Sequence, residues 1–403
     1  MPYKKTRMKI LFVAMSDSIH TARWINQIAD RGWDIRLFPS IDCGITHPEL
    51  KNVHVYHSFY GKQKNKSVIH HGYPVLSEKV ANAGIKVLKQ LYPTYKINRL
   101  ASVIKSFDPD IIHCLEIQSA AYLTLDAKRK FSKKFPKWIV TNWGSDIYLF
   151  GQLPSHKQKI REVLSQCDFY SCECKRDVLL AKKFGFKGAV LPVLPNGGGY
   201  VLNKSVKMKQ SDVPSKRKLV MVKGYQGWTG RALFALAALR QCARQLQGYT
   251  IVIYSSEEDS GVQLAAELFA QHTGVKTIIL PKDTPHEEIL SYHGRARISL
   301  SLNISDGISM SLLEAMIMGS FPIQSDTSCG NEWILDGKTG ILVPPENIEK
   351  VARALSLALT DDELVDTAAL ENAKVAQKRL SYVHIKKEVI KLYKLVARTI
   401  HEK

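Results

Sequence analysis

The segment Ile304-Ser305-Asp306-Gly307-Ile308-Ser309-Met310-Ser311-Leu312-Leu313-Glu314 sets two carboxylates eight residues apart across a turn of small residues. An aliphatic run precedes it and an apolar helical pattern follows, so a strand ends, the chain turns and a helix begins. The first N–H groups of such a helix have no intrahelical partner, and with the helix dipole they favour a phosphate. A carboxylate accepts from sugar hydroxyls. Asp306 and Glu314 beside a phosphate cradle therefore suit the ribose or hexose of a sugar nucleotide. The same residues allow a plainer reading, in which Ser311 and Glu314 form a capping box and Asp306 is a solvated turn residue.

Other stretches carry chemistry of a compatible kind. Lys223-Gly224-Tyr225-Gln226-Gly227-Trp228-Thr229-Gly230-Arg231 joins glycines to two cations and suits a diphosphate, or else is a surface turn. Leu280-Pro281-Lys282 reads as a loop near a base. In the first half, His20 and Arg23 open a helix after Ser16-Asp17-Ser18 and could reach an acceptor or a phosphate, although a single histidine there is as readily structural. His113 and Glu116 close a strand, where core placement competes with function. Trp143-Gly144-Ser145-Asp146 follows another strand.

These residues need a scaffold. Short aliphatic runs at 9–15, 34–40, 53–56, 111–116, 138–143, 168–172 and 190–194 alternate with helical patterns, among them one from about His20 to Asp30 and one from Lys175 to Phe184. Asn203 to Lys218 is polar and apolar-poor and reads as a linker. The rhythm then resumes, with strands at 219–222, 250–254, 277–280, 298–304 and 322–325. Thr284-Pro285-His286-Glu287 has the residue types of a helix start, with Thr284 as cap, and a further helix starts near Asn347. Alternating β and α units imply parallel sheets covered on both faces, with ligands at the carboxyl ends of the strands.

The run from Ile304 to Met316, continued by Gly319-Ser320-Phe321-Pro322-Ile323-Gln324-Ser325-Asp326 and Asp336-Gly337-Lys338-Thr339-Gly340-Ile341-Leu342-Val343-Pro344-Pro345, resembles the donor-site signature of glycosyltransferase family 4, the retaining enzymes of group 1 type. That family shows an acid, seven residues, a Glu, an Ala, a Gly and Pro stretch and a later Gly-x-x-Gly-x-Leu-Val-Pro turn; here the first acid is Asp306 in place of the commoner Glu. The resemblance implies the GT-B fold, two doubly wound Rossmann-like α/β domains facing an interdomain cleft. It implies that Glu314 binds the ribose, that Asp306 touches the transferred sugar, and that the backbone of Gly307, Ile308, Ser309, Met310 and Ser311 holds the diphosphate. Lys223, Gly224 and Arg231 would flank the leaving group, with Lys282 near the base. Pro195-Asn196-Gly197 matches the family's crossover. Trp143 stands where members often have a histidine near the reacting sugar, which makes Asp146 the candidate for orienting the acceptor, with His20, Arg23 and His113 beside it.

Composition sets the remaining bounds. The chain of 403 residues is 45% hydrophobic and 23% charged, enough for two or three domains with cores. The expected boundaries are 1–202 for an acceptor-side domain, 203–217 for the linker and 218–383 for the sugar-nucleotide domain, with a helix at about 384–403 packing back on the first. Apolar runs are too short for a membrane span, and the start does not read as a cleavable signal. Seven cysteines at irregular spacing read as reduced thiols. Cys167, Cys172 and Cys174 lack a second pair at zinc-site spacing, so no metal and no cofactor are expected.

The net charge is +20, of which residues 1–200 hold 31 bases against 15 acids, or +16. Between Lys62 and Lys105 the bases Lys62, Lys64, Lys66, Lys79, Lys86, Lys89, Lys96, Arg99 and Lys105 face one acid, Glu78, and Val80, Ile85, Val87, Leu88 and Leu91 interleave with them. That pattern fits a membrane-surface helix or an ordinary solvated face. No nucleic-acid motif or stacking pattern accompanies the charge. The sequence thus points to a cytoplasmic transferase, peripheral on the inner face of a membrane, that moves sugar from a nucleotide-linked donor, UDP first, to a glycan or lipid-linked acceptor in surface polysaccharide synthesis. A sugar-nucleotide epimerase is the alternative within enzymes, and a basic protein binding nucleic acid or another anionic surface the alternative outside them.

Overall fold

The computed structural model describes residues 7–63, 65–132, 135–210, 212–258 and 261–401. Of the bases named above, Lys64 lies outside them, as do the first six residues and the last two. The chain divides into two units: residues 1–198 with 385–403, and residues 199–384.

The first unit is built on strands β1 (Lys9–Ala14), β2 (Asp34–Pro39), β3 (Val53–Tyr60), β4 (Val68–Pro74), β5 (Ile111–Leu115), β6 (Lys137–Thr141), β7 (Phe169–Ser171) and β8 (Ala189–Val190). Their order is β4-β3-β2-β1-β5-β6-β7-β8, and every pairing is parallel. The central strands are near-continuous apolar runs because both faces are covered. Leu11 and Val13 join one core layer, and Ile10, Phe12 and Ala14 the other. Between the strands run α1 (Ile19–Asn26), α2 (Glu78–Leu91), α3 (Tyr95–Phe107), α4 (Tyr122–Lys128), α5 (Pro154–Gln166) and α6 (Lys175–Lys183).

In the second unit, β9 (Leu219–Lys223), β10 (Thr250–Tyr254), β11 (Lys276–Ile279), β12 (Ile298–Ser301), β13 (Phe321–Ser325) and β14 (Ile341–Val343) form a parallel sheet in the order β11-β10-β9-β12-β13-β14. Its helices are α7 (Leu202–Val206), α8 (Ala232–Gln241), α9 (Val262–Thr273), α10 (His286–Arg295), α11 (Met310–Met318), α12 (Ile348–Thr360) and α13 (Asp362–Arg379). A last helix, α14 (Tyr382–His401), carries the chain back into the first unit, where Ile385, Val389, Leu392, Tyr393 and Val396 enter the core. Both sheets reverse their strand order beside the first strand, between β1 and β5 and between β9 and β12. At such a switch point the two adjacent loops part and leave a crevice.

Several local expectations change. Strands β4 and β14 were not anticipated, and β12 stops at Ser301 because the chain then turns to pair with the loop after β9. The stretch read as a linker opens with α7, and Arg217 is buried, donating to the carbonyls of Asp212, Ala296 and Met318. Thr284 does not cap α10: its hydroxyl turns back to the Pro281 carbonyl at 2.6 Å, and Pro285 occupies the cap position. Asn347 does cap α12, accepting from the Lys350 amide at 2.9 Å.

Candidate functional site

The switch point of the second sheet gathers most of the residues singled out in that half. Lys223 ends β9, and the chain leaves it through Gly224, whose amide bonds the Tyr254 carbonyl at 2.7 Å. A Cβ at Gly224 would stand 2.6 Å from Ile253 Cγ2, and one at Gly230 would strike the Tyr225 carbonyl, so backbone packs where side chains cannot. This loop is zipped to the one after β12. Arg231 N donates to Leu302 O at 2.9 Å, Ile304 N to Thr229 O at 2.9 Å, and Gly230 bridges Asn303. The guanidinium of Arg231 is held by Glu346 at 2.6 Å and by the Gly230 carbonyl at 2.8 Å.

Beyond Ile304 the chain turns through Asp306, whose Oδ1 accepts from the Gly307 amide at 2.9 Å. Gly307, Ile308 and Ser309 are buried, and Ser309 precedes α11 in extended conformation without using its side chain as a cap. Its hydroxyl instead shares a 2.7 Å hydrogen bond with that of Ser311. The capping-box reading is therefore wrong: Ser311 already lies inside α11, and Glu314, one turn on, turns its carboxylate elsewhere. Glu314 is 5% exposed. Its Oε1 accepts from His286 Nε2 at 2.7 Å and from the Tyr200 hydroxyl at 3.4 Å, and its Oε2 lies 3.8 Å from His293 Nε2. The Tyr200 hydroxyl also reaches the Met310 sulfur at 3.7 Å.

His293 is wholly buried, with Nδ1 on the Ser299 hydroxyl at 2.8 Å; desolvation pushes its pKa down to about 4 and keeps it neutral beside the carboxylate. Lys282 is exposed after β11, two strands from β9, and no contact among the described residues joins it to this group. Tyr200, His286 and His293 were missed. His286 had been read only as part of a helix start, and Tyr200 meets Glu314 from 114 residues away.

The first unit sorts its candidates differently. Ser18 caps α1 by accepting from the His20 amide, and the His20 and Trp143 rings meet edge to face with centroids 5.6 Å apart. Arg23 lies one turn on, where Gln27 bonds both its carbonyl and that of Gly198. Asp146 is buried and accepts from the amides of Ile117 and Trp143, each at 2.9 Å. Desolvation, then the nearby Glu116, raises its pKa well above the usual carboxylate range. Asp146 thus ties the ends of β5 and β6 together and positions Trp143. Glu116 adopts φ 83° and closes the next turn, accepting from the Ser119 and Ala120 amides.

His113 is buried as well. Its Nδ1 meets the Tyr393 hydroxyl at 2.7 Å and its Nε2 the Thr141 hydroxyl at 2.6 Å, and burial drives its pKa down to about 3, so it is a core residue. The seven cysteines are free thiols. Among the described residues no helix is long and apolar enough to cross a membrane.

The family model described as "Glycosyl transferase 4-like" matches residues 9–170, and the model described as "Glycosyl transferases group 1" matches residues 203–375. No curated protein matches the sequence. Among solved structures, sucrose-phosphate synthase from Thermosynechococcus elongatus superposes with a TM-score of 0.70 at 14% identity, covering 98% of this chain and 100% of its own. A glycosyltransferase from Rickettsia africae does so with 0.66 at 15% identity, covering 97% and 99%. Anabaena HepE, solved in complex with UDP-glucose, gives 0.66 at 14% identity over 96% and 99%. At these identities the likeness establishes the two-domain α/β GT-B fold.

Proposed function

The chain belongs to the group 1 glycosyltransferases, with a glycosyl transferase 4-like first half, and from that premise we propose that it transfers a sugar, with retention, from a UDP-linked donor to a glycan or lipid-linked acceptor at an anionic membrane surface in polysaccharide synthesis. The observation that carries this reading is the zipping of the loop after β9 to the loop after β12, which gathers Lys223, Arg231 and the N-terminus of α11 at one switch point, one helical turn from Glu314.

In this reading Glu314 accepts from the ribose hydroxyls, held in orientation by His286. The amides opening α11 hold the diphosphate, and Asp306 contacts the sugar. The bond from the anomeric carbon to the diphosphate oxygen breaks as the bond to the acceptor oxygen forms on the same face. The departing diphosphate takes the acceptor's proton, so no side chain serves as a covalent nucleophile. Lys223 and Arg231 offset the charge that develops on the leaving group, which gives the reaction a metal-independent charge balance.

The test is calorimetric titration of UDP-, GDP- and ADP-sugars into the native protein and into Glu314→Ala. Binding of one donor class by the native protein and its loss in the variant are expected; a variant that binds as well as the native protein removes the site assignment. Product analysis without acceptor separates transfer from epimerisation, since an epimerase converts the donor alone.

A further inference from the structure

In the first unit, α2 is an unusual helix for a globular domain. It lies beside β3, yet of its fourteen residues only Ala81 is buried. Val80 and Val87 are about half exposed, and Leu91 and the following Tyr92 are exposed by 66% and 62%; Leu76, just before the helix, is 95% exposed. Lys79, Lys86 and Lys89 stand among them, exposed as well. The next helix behaves ordinarily, burying Leu100, Ala101, Val103, Ile104 and Phe107. The apolar face of α2 is therefore not spent on the core. A patch of aliphatic side chains interleaved with lysines is costly in water and stabilised at an anionic bilayer.

Beside this face lies a cavity of about 680 Å³, lined by Ile85, Lys86, Leu88 and Lys89 of α2, by Lys96 of α3, by Ser40 just after β2 and by Ser119 in the turn that follows β5. The two acids that line it are committed within the fold: Asp42 bonds His57 at 3.1 Å and the Ser58 amide at 2.7 Å, and Asp126 pairs with Lys159 at 3.0 Å and Arg129 at 3.0 Å. Among the described residues no carboxylate comes within ion-pair distance of Lys86, Lys89 or Lys96. Lys96 bonds the Ser40 carbonyl, and the burial of its ammonium, opposed by Asp42 and reinforced by Lys89, pushes its pKa down to about 8. It is a half-buried cation that feels Asp42 and Glu116 without an ion pair to either. A phosphate oxygen supplies such a direct partner, and the volume exceeds what a bare phosphate fills.

We propose that this cavity binds the phosphate headgroup of an anionic membrane lipid, whose acyl chains remain in the bilayer against the exposed face of α2. The assignment rests on the membrane-surface reading above and adds the residues that recognise the lipid. Lys96 contacts the phosphate, Lys86 and Lys89 flank it, and Val80, Val87 and Leu91 enter the acyl boundary.

The experiment is flotation of the full-length chain with vesicles of phosphatidylcholine alone or with 30% phosphatidylglycerol, run beside calorimetric binding of UDP. Binding only to the anionic vesicles is expected, weakened about tenfold by Lys96→Met and similarly by Val87→Asp, which touches the exposed face and not the fold. Lys187→Gln, an equal loss of charge on an exposed loop of the same unit, should change binding less than twofold. Equal losses in Lys187→Gln and Lys96→Met would mean that bulk charge alone binds the membrane, and the cavity is then not a site. Saturable, Lys96-dependent binding of glycerol 3-phosphate without vesicle flotation would make the ligand a soluble phosphate and overturn the lipid. No flotation with UDP binding intact removes this proposal and leaves the donor site standing; flotation without UDP binding does the reverse.

Discussion

His286 Nε2 and Glu314 Oε1 lie 2.7 Å apart, joining the first residue of α10 to the second turn of α11. The carboxylate is an acceptor, so the imidazole nitrogen facing it carries the proton. That bond, with the longer one from Tyr200, fixes the orientation of a carboxylate that is 5% exposed. A sequence motif can name Glu314, but its direction is set by two residues outside the motif.

On the proposed function, replacing Glu314 with Ala removes the acceptor for the ribose, and a charge-assisted hydrogen bond of this kind is worth about 1.5–3 kcal/mol. Donor Kd should rise roughly 10- to 100-fold. His286→Ala leaves the carboxylate in place and loosens it, so a smaller rise is expected, with recovery in His286→Gln, whose amide can still donate. Calorimetry of the three variants checks this; a His286→Gln protein no better than His286→Ala would deny His286 a positioning role.

In the proposed reaction Arg231 acts on the leaving group, and its tie to the exposed Glu346 is one that water screens. Arg231→Ala should lower kcat about 10²- to 10³-fold with little change in KM, since the charge it meets develops in the transition state. Glu346→Ala should leave kcat within a few-fold of the native value. Initial-rate kinetics over a donor series makes the distinction.

Much of this arrangement is legible in the sequence, and the reasons for the rest are physical. Lys-Ile-Leu-Phe-Val-Ala and Thr-Ile-Val-Ile-Tyr announce β1 and β10 because central parallel strands are apolar on both faces. Strand β4, Val-Ile-His-His-Gly-Tyr-Pro, sits at the sheet edge and carries no such run, and β14 has three residues. The loops after β9 and β12 could be picked out by their glycines and acids, but not the backbone pairing that joins them. His113 stood out at a strand end, and Asp146 in the Trp143-Gly144-Ser145-Asp146 run that resembles the family's. Tyr393 and Ile117, which bond them, come from distant segments, so only the fold shows that each residue also holds structure together.

His293 makes acid stability a specific test. Its ring is neutral in the fold down to about pH 4, whereas in the unfolded chain it takes up a proton near 6.5. Above pH 6.5 neither state is charged there and the shift has no effect. Below it the unfolded state gains a proton that the core refuses, so stability falls by about 1.4 kcal/mol per pH unit until the folded ring titrates. The buried Asp146, with a raised pKa, has the opposite sign, and the net slope of the native protein mixes the two. The stability advantage of native protein over His293→Gln should therefore shrink by roughly 2 kcal/mol between pH 6.5 and 4.5, measured by urea unfolding. An advantage that stays constant would mean that His293 titrates normally.

The return of α14 to the first unit gives the last prediction. Trp24 Nε1 donates to the Tyr393 hydroxyl at 2.9 Å, and that hydroxyl meets His113 Nδ1 at 2.7 Å. Indole can only donate, so the tyrosine oxygen accepts from Trp24 and its proton goes to His113 Nδ1, which leaves His113 Nε2–H for Thr141. The chain of bonds closes with every member satisfied, and it links helix α14 to β5 and β6. Tyr393→Phe keeps the ring and deletes the hydroxyl, leaving an indole N–H and an imidazole nitrogen buried without partners, at about 1–3 kcal/mol each. In calorimetric unfolding the transition of the first unit should fall by roughly 4–24 °C, at about 2–4 °C per kcal/mol for a unit of this size. Nucleotide binding at the second unit should persist below that transition, because Glu314, Lys223 and Arg231 all lie outside the damaged core. A transition unchanged within a degree would show that α14 does not depend on this hydroxyl for its place in the fold.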